Sequence, residues 1–172
     1  ALVVLGILSI YSSGVTAEGV LVSNEYMKQI LWSVTGLLLM MAVATIDYTR
    51  IKDYTFFIYL FFMLLLVYTR FFGRVTNGAR SWLGIGETGI QPSEFAKIVT
   101  ILYLANFLEG SEHEGALARL GKAFAIILVP VALILSQPDF GTSLVFFPIL
   151  LFMILIAGLD WRYILFILSA GL

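Results

Sequence analysis

Tyr54-Thr-Phe-Phe-Ile-Tyr-Leu-Phe-Phe-Met-Leu-Leu-Leu-Val-Tyr-Thr-Arg-Phe-Phe72 decides the fold class. Its single charge, Arg70, lies near its end. A helix crosses the hydrocarbon core of a bilayer with about 20 apolar residues, in a range of about 17–25, and this stretch supplies them. The whole chain agrees: 172 residues, 60% hydrophobic and 12% charged, with mean hydropathy +1.01, where soluble domains carry about 25% charged residues. The absence of cysteine excludes disulfides and thiolate metal sites, and the single histidine, His113, excludes a multi-histidine site. A net charge of -1 gives no basic footprint, so nucleic acid is not an expected partner. The expected fold class is all-α, a polytopic transmembrane helical bundle.

Residues 31–46, entered from Lys28, form a similar run, as do 92–108, 122–136 and 140–158. The last two are separated only by Gln137-Pro138-Asp139. Residues 1–11 and the segment starting at Tyr163 read as half-helices. Residues 1–11 lack the positive region that precedes the apolar core of a signal peptide. The expectation is five full spans and two partial ones in a single transmembrane domain over 1–172, the N-terminal part of a larger bundle.

Alternating spans place segments 13–28, 73–91 and 137–139 on one side, and 47–53, 109–121 and 159–162 on the other. Cytoplasmic loops carry the Lys/Arg excess, but here the basic residues divide evenly. Lys28, Arg70, Arg74, Arg80 and Lys97 lie on the first side, and Arg50, Lys52, Arg119, Lys122 and Arg162 on the second. The second side has short, evenly basic loops, whereas the first concentrates its charge between Arg70 and Lys97. The reading favours the 73–91 loop outside the cytoplasm.

That loop carries Asn77-Gly-Ala-Arg-Ser-Trp-Leu83 and leads into Gln91-Pro-Ser-Glu-Phe-Ala-Lys97. Gly84-Ile-Gly86-Glu-Thr-Gly89 matches the dinucleotide fingerprint in letters but follows a membrane helix instead of a buried strand, so it reads as a loop with glycines for turns. Asp139-Phe140-Gly141 spells the kinase magnesium triplet without its companion motifs. Pro92 suits the first helical position, where its missing N–H costs nothing, and Glu94 suits the positive helix end. Capping does not explain Lys97 within an apolar span, where a charge costs about 2.5–3.5 kcal/mol on insertion scales. Lys97 can pair with Glu94 at i,i+3. Ser93 and Lys97 share a helix face, which raises a Ser–Lys hydrolase, although the spacing departs from S-x-x-K. Trp82 reads either as an interfacial anchor or as part of a site. Arg80 brings the side chain best suited to a bidentate phosphate grip. Gln137-Pro-Asp-Phe-Gly-Thr142 repeats the design at the next re-entry. Pro138 is expected to begin a helix with Asp139 on its positive end, and Gly141 and Thr142 to permit close helix packing. Capping and function both remain open there.

Together these three motifs resemble the SEDS family of bacterial membrane proteins (RodA, FtsW and SpoVE), over nearly the whole chain. Ile46-Asp47-Tyr48 resembles the RodA branch more than the FtsW branch. The resemblance implies a ten-helix glycosyltransferase that polymerises lipid II into peptidoglycan strands for elongation and cell shape, in the bacterial inner membrane, beside a class B penicillin-binding protein. It matches Arg80 and Trp82 to sensitive loop positions, Glu94 and Lys97 to an intramembrane ion pair, and Asp139 to a supporting acidic residue. Arg80, Trp82 and Lys97 are thus the substrate-binding candidates. Gln91, Pro92, Ser93, Glu94, Gln137, Pro138, Gly141 and Thr142 are the structural ones. The family's principal catalytic aspartate is expected beyond Leu172, so residues 1–172 are not expected to act alone. No cofactor is evident, and a divalent cation is admitted without a visible site. Two other readings use the same residues: a lipid II transporter, and a membrane scaffold for the penicillin-binding protein.

Overall fold

The computed structural model describes residues 2–14, 25–76, 78–85 and 88–158. The chain divides into two compact units, Ala1–Tyr48 and Thr49–Leu172. The first holds α1 (Leu2–Ser13) and α2 (Glu25–Ala44), which meet through Tyr11 and Tyr26, ring edge to ring face at 5.2 Å. The second run of the sequence therefore starts its helix earlier than 31 and ends it before Thr45. No residue of α2 is buried within its unit, and Trp32, Leu38 and Met41 stand exposed.

The second unit holds α3 (Tyr48–Lys52), α4 (Thr55–Phe72), β1 (Arg74–Thr76), β2 (Ala79–Ile85), β3 (Thr88–Ile90), α5 (Pro92–Gly110), α6 (Ala116–Leu135), α7 (Phe140–Leu144) and α8 (Phe146–Ile156). Among the described residues three helices are long and apolar enough to cross a membrane: α2, α4 and α6. Helix α5 is comparably long but carries Glu94, Lys97 and Glu109. The expected span 140–158 runs as one apolar helix over Phe140–Ile156, with Val145 in helical torsions and only its hydrogen-bond ladder interrupted there, between α7 and α8. The cause is Pro148, which has no N–H to offer the Leu144 carbonyl one turn back.

Helices α4 and α5 run antiparallel, with Tyr59 against Tyr103 at 4.8 Å and Phe62 stacked on Phe95 at 5.9 Å. Leu66, Ala96, Leu104, Ala123, Ile134, Phe146 and Ile154 fill the core among α4, α5, α6 and α8. Two of them are alanines, so backbones approach closely where lipid offers no hydrophobic drive to association.

Proline also shapes α6. Pro130 lies inside it, and its missing N–H leaves the Ile126 carbonyl without its helical donor. Tyr59 of α4 donates its hydroxyl to that carbonyl at 2.7 Å. In a membrane every such group must find an internal partner, and here the partner joins two helices.

Polar groups close the far end of the unit. Lys52 pairs with Glu109 at 2.8 Å, and Asn106 donates to the Lys52 carbonyl and the Thr55 hydroxyl. Arg119, buried to 8% exposure, donates to the Leu108 carbonyl, the Ser111 hydroxyl and the Ala157 carbonyl. It thereby serves the carbonyl-rich C-termini of both α5 and α8, where a cation also meets the negative end of the helix dipole. In the sequence Arg119 reads only as a loop charge.

The 73–91 segment departs furthest from the sequence expectation. It is an antiparallel sheet, ordered β1-β2-β3. Arg74 faces Trp82, Val75 faces Arg80 and Thr76 faces Ala79, with a bulge after Arg74. Leu83 faces Ile90 and Gly84 faces Gly89. Gly78 takes φ +84° in the β1–β2 turn. The Asn77-Gly78 dipeptide is the hairpin signal that the loop reading passes over.

Tyr59→Phe is expected to destabilise the protein by about 1 kcal/mol, between the small mean for side-chain hydrogen bonds in membranes and the larger cost of an orphaned buried acceptor. Pro130→Ala, which restores a donor for Ile126, should abolish most of that cost. Thermal unfolding of the four proteins in detergent measures the coupling, and equal Tyr59→Phe losses in both backgrounds would refute it.

Candidate functional site

Two hydrogen bonds join the three motifs. The Arg80 backbone N–H donates to the Gln137 carbonyl at 3.3 Å, and Gln91 Nε2 donates to Asp139 Oδ2 at 2.8 Å. Segments 73–91 and 137–139 therefore share one end of the unit, as alternating spans require. The contacts of Lys52 with Glu109, and of Arg119 with Ala157, place segments 47–53 and 109–121 at the other. Segment 159–162, like Asn77, lies outside the described residues.

Arg80 and Trp82 flank Ser81, the extra residue of the bulge on β2, with Arg80 opposite Val75 and Trp82 opposite Arg74. Arg80 Nη1 donates to the Phe71 carbonyl in the last turn of α4 at 3.1 Å, with the residue exposed. A guanidinium there satisfies a terminal carbonyl and faces the negative helix end. Trp82 is half-buried and lies over Gly89 in β3, where a Cβ would stand 3.0 Å from its Cε3. Gly89 thus leaves room for the indole, a packing role beside the two sequence readings of Trp82.

At the start of α5, Pro92 occupies the first helical turn as expected, with Gln91 at the N-cap. Gln91 does not cap with its side chain; that amide reaches across to Asp139 instead. Lys97 Nζ lies 2.8 Å from the Glu94 carboxylate, with side-chain exposures of 20% and 54%. The expected i,i+3 pair therefore forms at the edge of the structure, where such a pair is worth only about 0.2–1 kcal/mol. Ser93 is fully buried and its Oγ has no partner among the described residues. With Lys97 turned to Glu94, the serine has no base, and the Ser–Lys hydrolase is not assembled.

Asp139 caps α7: Oδ1 accepts the Thr142 N–H at 3.2 Å, and Oδ2 accepts the Thr142 hydroxyl at 2.9 Å as well as Gln91. Pro138 therefore precedes the cap and does not begin the helix, because the carboxylate takes the capping position itself. Among the described residues an added Cβ on Gly141 would meet nothing within 4 Å, so no close helix contact forms at it there. Thr142 acts through its hydroxyl. Gln137 is fully buried; its Nε2 donates to the Leu66 carbonyl of α4 at 2.9 Å, while Oε1 has no partner among the described residues. Motif position suggests a structural role for Gln137 but not its partner, since Leu66 is remote along the chain.

No hydrogen bond or ion pair joins Arg80 to Glu94, Lys97 or Asp139 among the described residues. Nor do those residues contain a cluster of three His, Cys, Asp or Glu able to hold a metal ion. An apolar cleft of about 350 Å³ begins beside this end, at Leu135 and Phe140, and follows α6 past Val131 and Ile127 opposite Phe147 and Leu150.

Apolar helices carrying a cationic, amide-rich cluster at one end define a multi-pass integral membrane protein. The family model of FtsW, RodA and SpoVE, described as cell cycle protein, matches residues 1–172, and the chain belongs to that family. It is 57% identical over 164 residues to peptidoglycan glycosyltransferase RodA of Treponema pallidum (strain Nichols), covering 95% of this chain and 38% of the relative. The crystal structure of rod shape determining protein RodA of Thermus thermophilus superposes with a TM-score of 0.78 at 30% identity, over 98% of this chain and 54% of that one. A peptidoglycan synthase complex, described as structurally coordinating polymerisation and crosslinking, matches with a TM-score of 0.79 at 31% identity, over 98% and 48%. The chain thus spans about half, or less, of these proteins.

Asp139→Ala should cost about 1 kcal/mol for the lost cap, and Asp139→Asn less, since an amide oxygen still accepts the Thr142 N–H. The loss in Asp139→Ala should shrink in a Gln91→Ala background, because one of the contacts is shared. Denaturant unfolding in detergent checks this, with strict additivity as the contrary result.

Proposed function

We propose that this protein is a peptidoglycan glycosyltransferase that polymerises lipid II, and that the end of the bundle carrying Arg80 holds the lipid's anionic group. The observation that carries the reading is the convergence of the three motifs through Arg80–Gln137 and Gln91–Asp139. The name of the Treponema relative supports the reaction class. In that reaction one saccharide's 4-hydroxyl attacks the anomeric carbon of a lipid-linked partner, and undecaprenyl pyrophosphate leaves. Charge grows on the pyrophosphate, where fixed cations help most. Arg80 supplies the planar fork and Lys97 a point charge, with Glu94 holding Lys97 in place.

The apolar cleft along α6 takes part of the isoprenoid chain. Asp139 is a support, since its oxygens hold Thr142 and Gln91, and the proton goes to another base. No step is assigned to a divalent cation. The 73–91 sheet faces outward from the bacterial inner membrane, where lipid-linked disaccharide is polymerised, and the partner is a class B penicillin-binding protein. The similarity to a synthase complex that coordinates polymerisation with crosslinking supports such an assembly.

In the full-length protein reconstituted with its partner, Arg80→Ala should lower lipid II polymerisation about 100-fold, the scale for removing one preorganised donor to a developing anion. Lys97→Ala should also lower it, and Arg80→Lys should recover only part, because it restores charge without the fork. Gel analysis of labelled glycan strands measures this. Polymerisation within twofold of wild type in both alanine variants would sink the reading, and loss of lipid translocation alone would support a transporter.

A further inference from the structure

Gly73 sits where α4 ends and β1 begins, and its backbone torsions, φ −67° and ψ 153°, are open to any residue. Torsion does not call for glycine at this position; space does. A Cβ on Gly73 would collide with the Thr69 carbonyl, lie 2.9 Å from Thr69 Cγ2 and stand 3.3 Å from Arg80 Cγ. The first two atoms belong to the last turns of α4, whose Thr69 carbonyl accepts the Gly73 N–H at 2.7 Å. The third is the stem of Arg80, whose guanidinium returns to the Phe71 carbonyl of the same helix end.

We infer that Gly73 is a positioning residue for Arg80: by carrying no side chain it lets the Arg80 stem lie against the end of α4, with the guanidinium held on Phe71. Arg80 is then fixed at its backbone by the Gln137 carbonyl, along its stem by the gap at Gly73, and at its head by Phe71. Gln137 can hold its point rigidly because it is itself fully buried and bonded to Leu66. A side chain at 73 pushes on helix end and arginine together, since backbone atoms yield little in a packed terminus. A displacement of about 1 Å at a group that binds a reacting substrate can cost on the order of 100-fold in rate. The catalytic consequence rests on the reading that Arg80 holds the pyrophosphate, whereas the positioning itself does not.

The test uses the full-length protein with its partner in nanodiscs, as wild type, Gly73→Ala, Arg80→Ala and the double variant. Peptide mass spectrometry follows phenylglyoxal modification at Arg80, and labelled lipid II follows polymerisation. Gly73→Ala is expected to raise the modification rate at Arg80 at least threefold. It should also lower kcat/KM at least tenfold with Arg80 present and less than twofold in the Arg80→Ala background. If Gly73→Ala does not give a monodisperse protein, Gly73→Ala/Thr69→Ser, which removes the crowding methyl, replaces it with the same expectations. An unchanged modification rate, or an equal fold-loss in both backgrounds, overturns the inference, because Gly73 would then serve the helix end alone. Faster modification with polymerisation intact in both Gly73→Ala and Arg80→Ala upholds the positioning and removes the pyrophosphate role of Arg80.

Discussion

A lipid environment offers no hydrogen bonds, so every backbone group that a helix leaves unpaired must be answered from within the protein. This constraint organises the second unit. Pro130 frees the Ile126 carbonyl and Tyr59 answers it from α4. The ends of α5 and α8 expose carbonyls, and the buried Arg119 answers both. The end of α4 exposes the Phe71 carbonyl, answered by Arg80 from the sheet. Two of these answers, Tyr59 to Ile126 and Arg119 to Ala157, are long-range contacts, so satisfying local backbone also fixes which helices are neighbours. Hydrophobic burial alone would not choose among them, because lipid tails are as apolar as Leu and Phe.

The candidate site grows out of the same logic. Arg80 belongs at once to the fold, through Phe71 and Gln137, and to the exposed end where an anionic group would arrive. Gln91 gives up capping α5 to hold Asp139, whose carboxylate caps α7. These groups are preorganised by bonds that exist for structural reasons, which leaves little to rearrange when a charged ligand binds. Lys97 differs. It is mostly covered while Glu94 is half exposed, and so small a contribution from the pair does not explain why a cation is kept in an apolar helix.

Much of this was legible in residue order. The apolar runs announced α4 and α5 within two residues of their ends, and α2 and α6 with starts six residues late, because the bilayer imposes a length on any spanning helix. Pro92 at the start of α5 and the Glu94–Lys97 pair followed from local spacing, which a helix converts directly into geometry. The sheet was missed although Asn77-Gly78 announced a hairpin, since short strands rich in glycine carry no strong alternation. Pro138 does not begin the helix that its motif position suggests, because Asp139 takes the cap itself.

Sequence alone determined the class of the protein, its apolar segments and the identity of the three polar motifs, because composition and periodicity act over neighbouring residues. Only the tertiary structure decided that those motifs meet, that Tyr59 serves Ile126, that Arg119 is a buried double cap, and that Gly73 is glycine for want of space. Those facts depend on pairs far apart along the chain, such as Gln91 with Asp139 and Gln137 with Leu66. Such pairs form only when packing brings otherwise unanswered polar groups within hydrogen-bond reach.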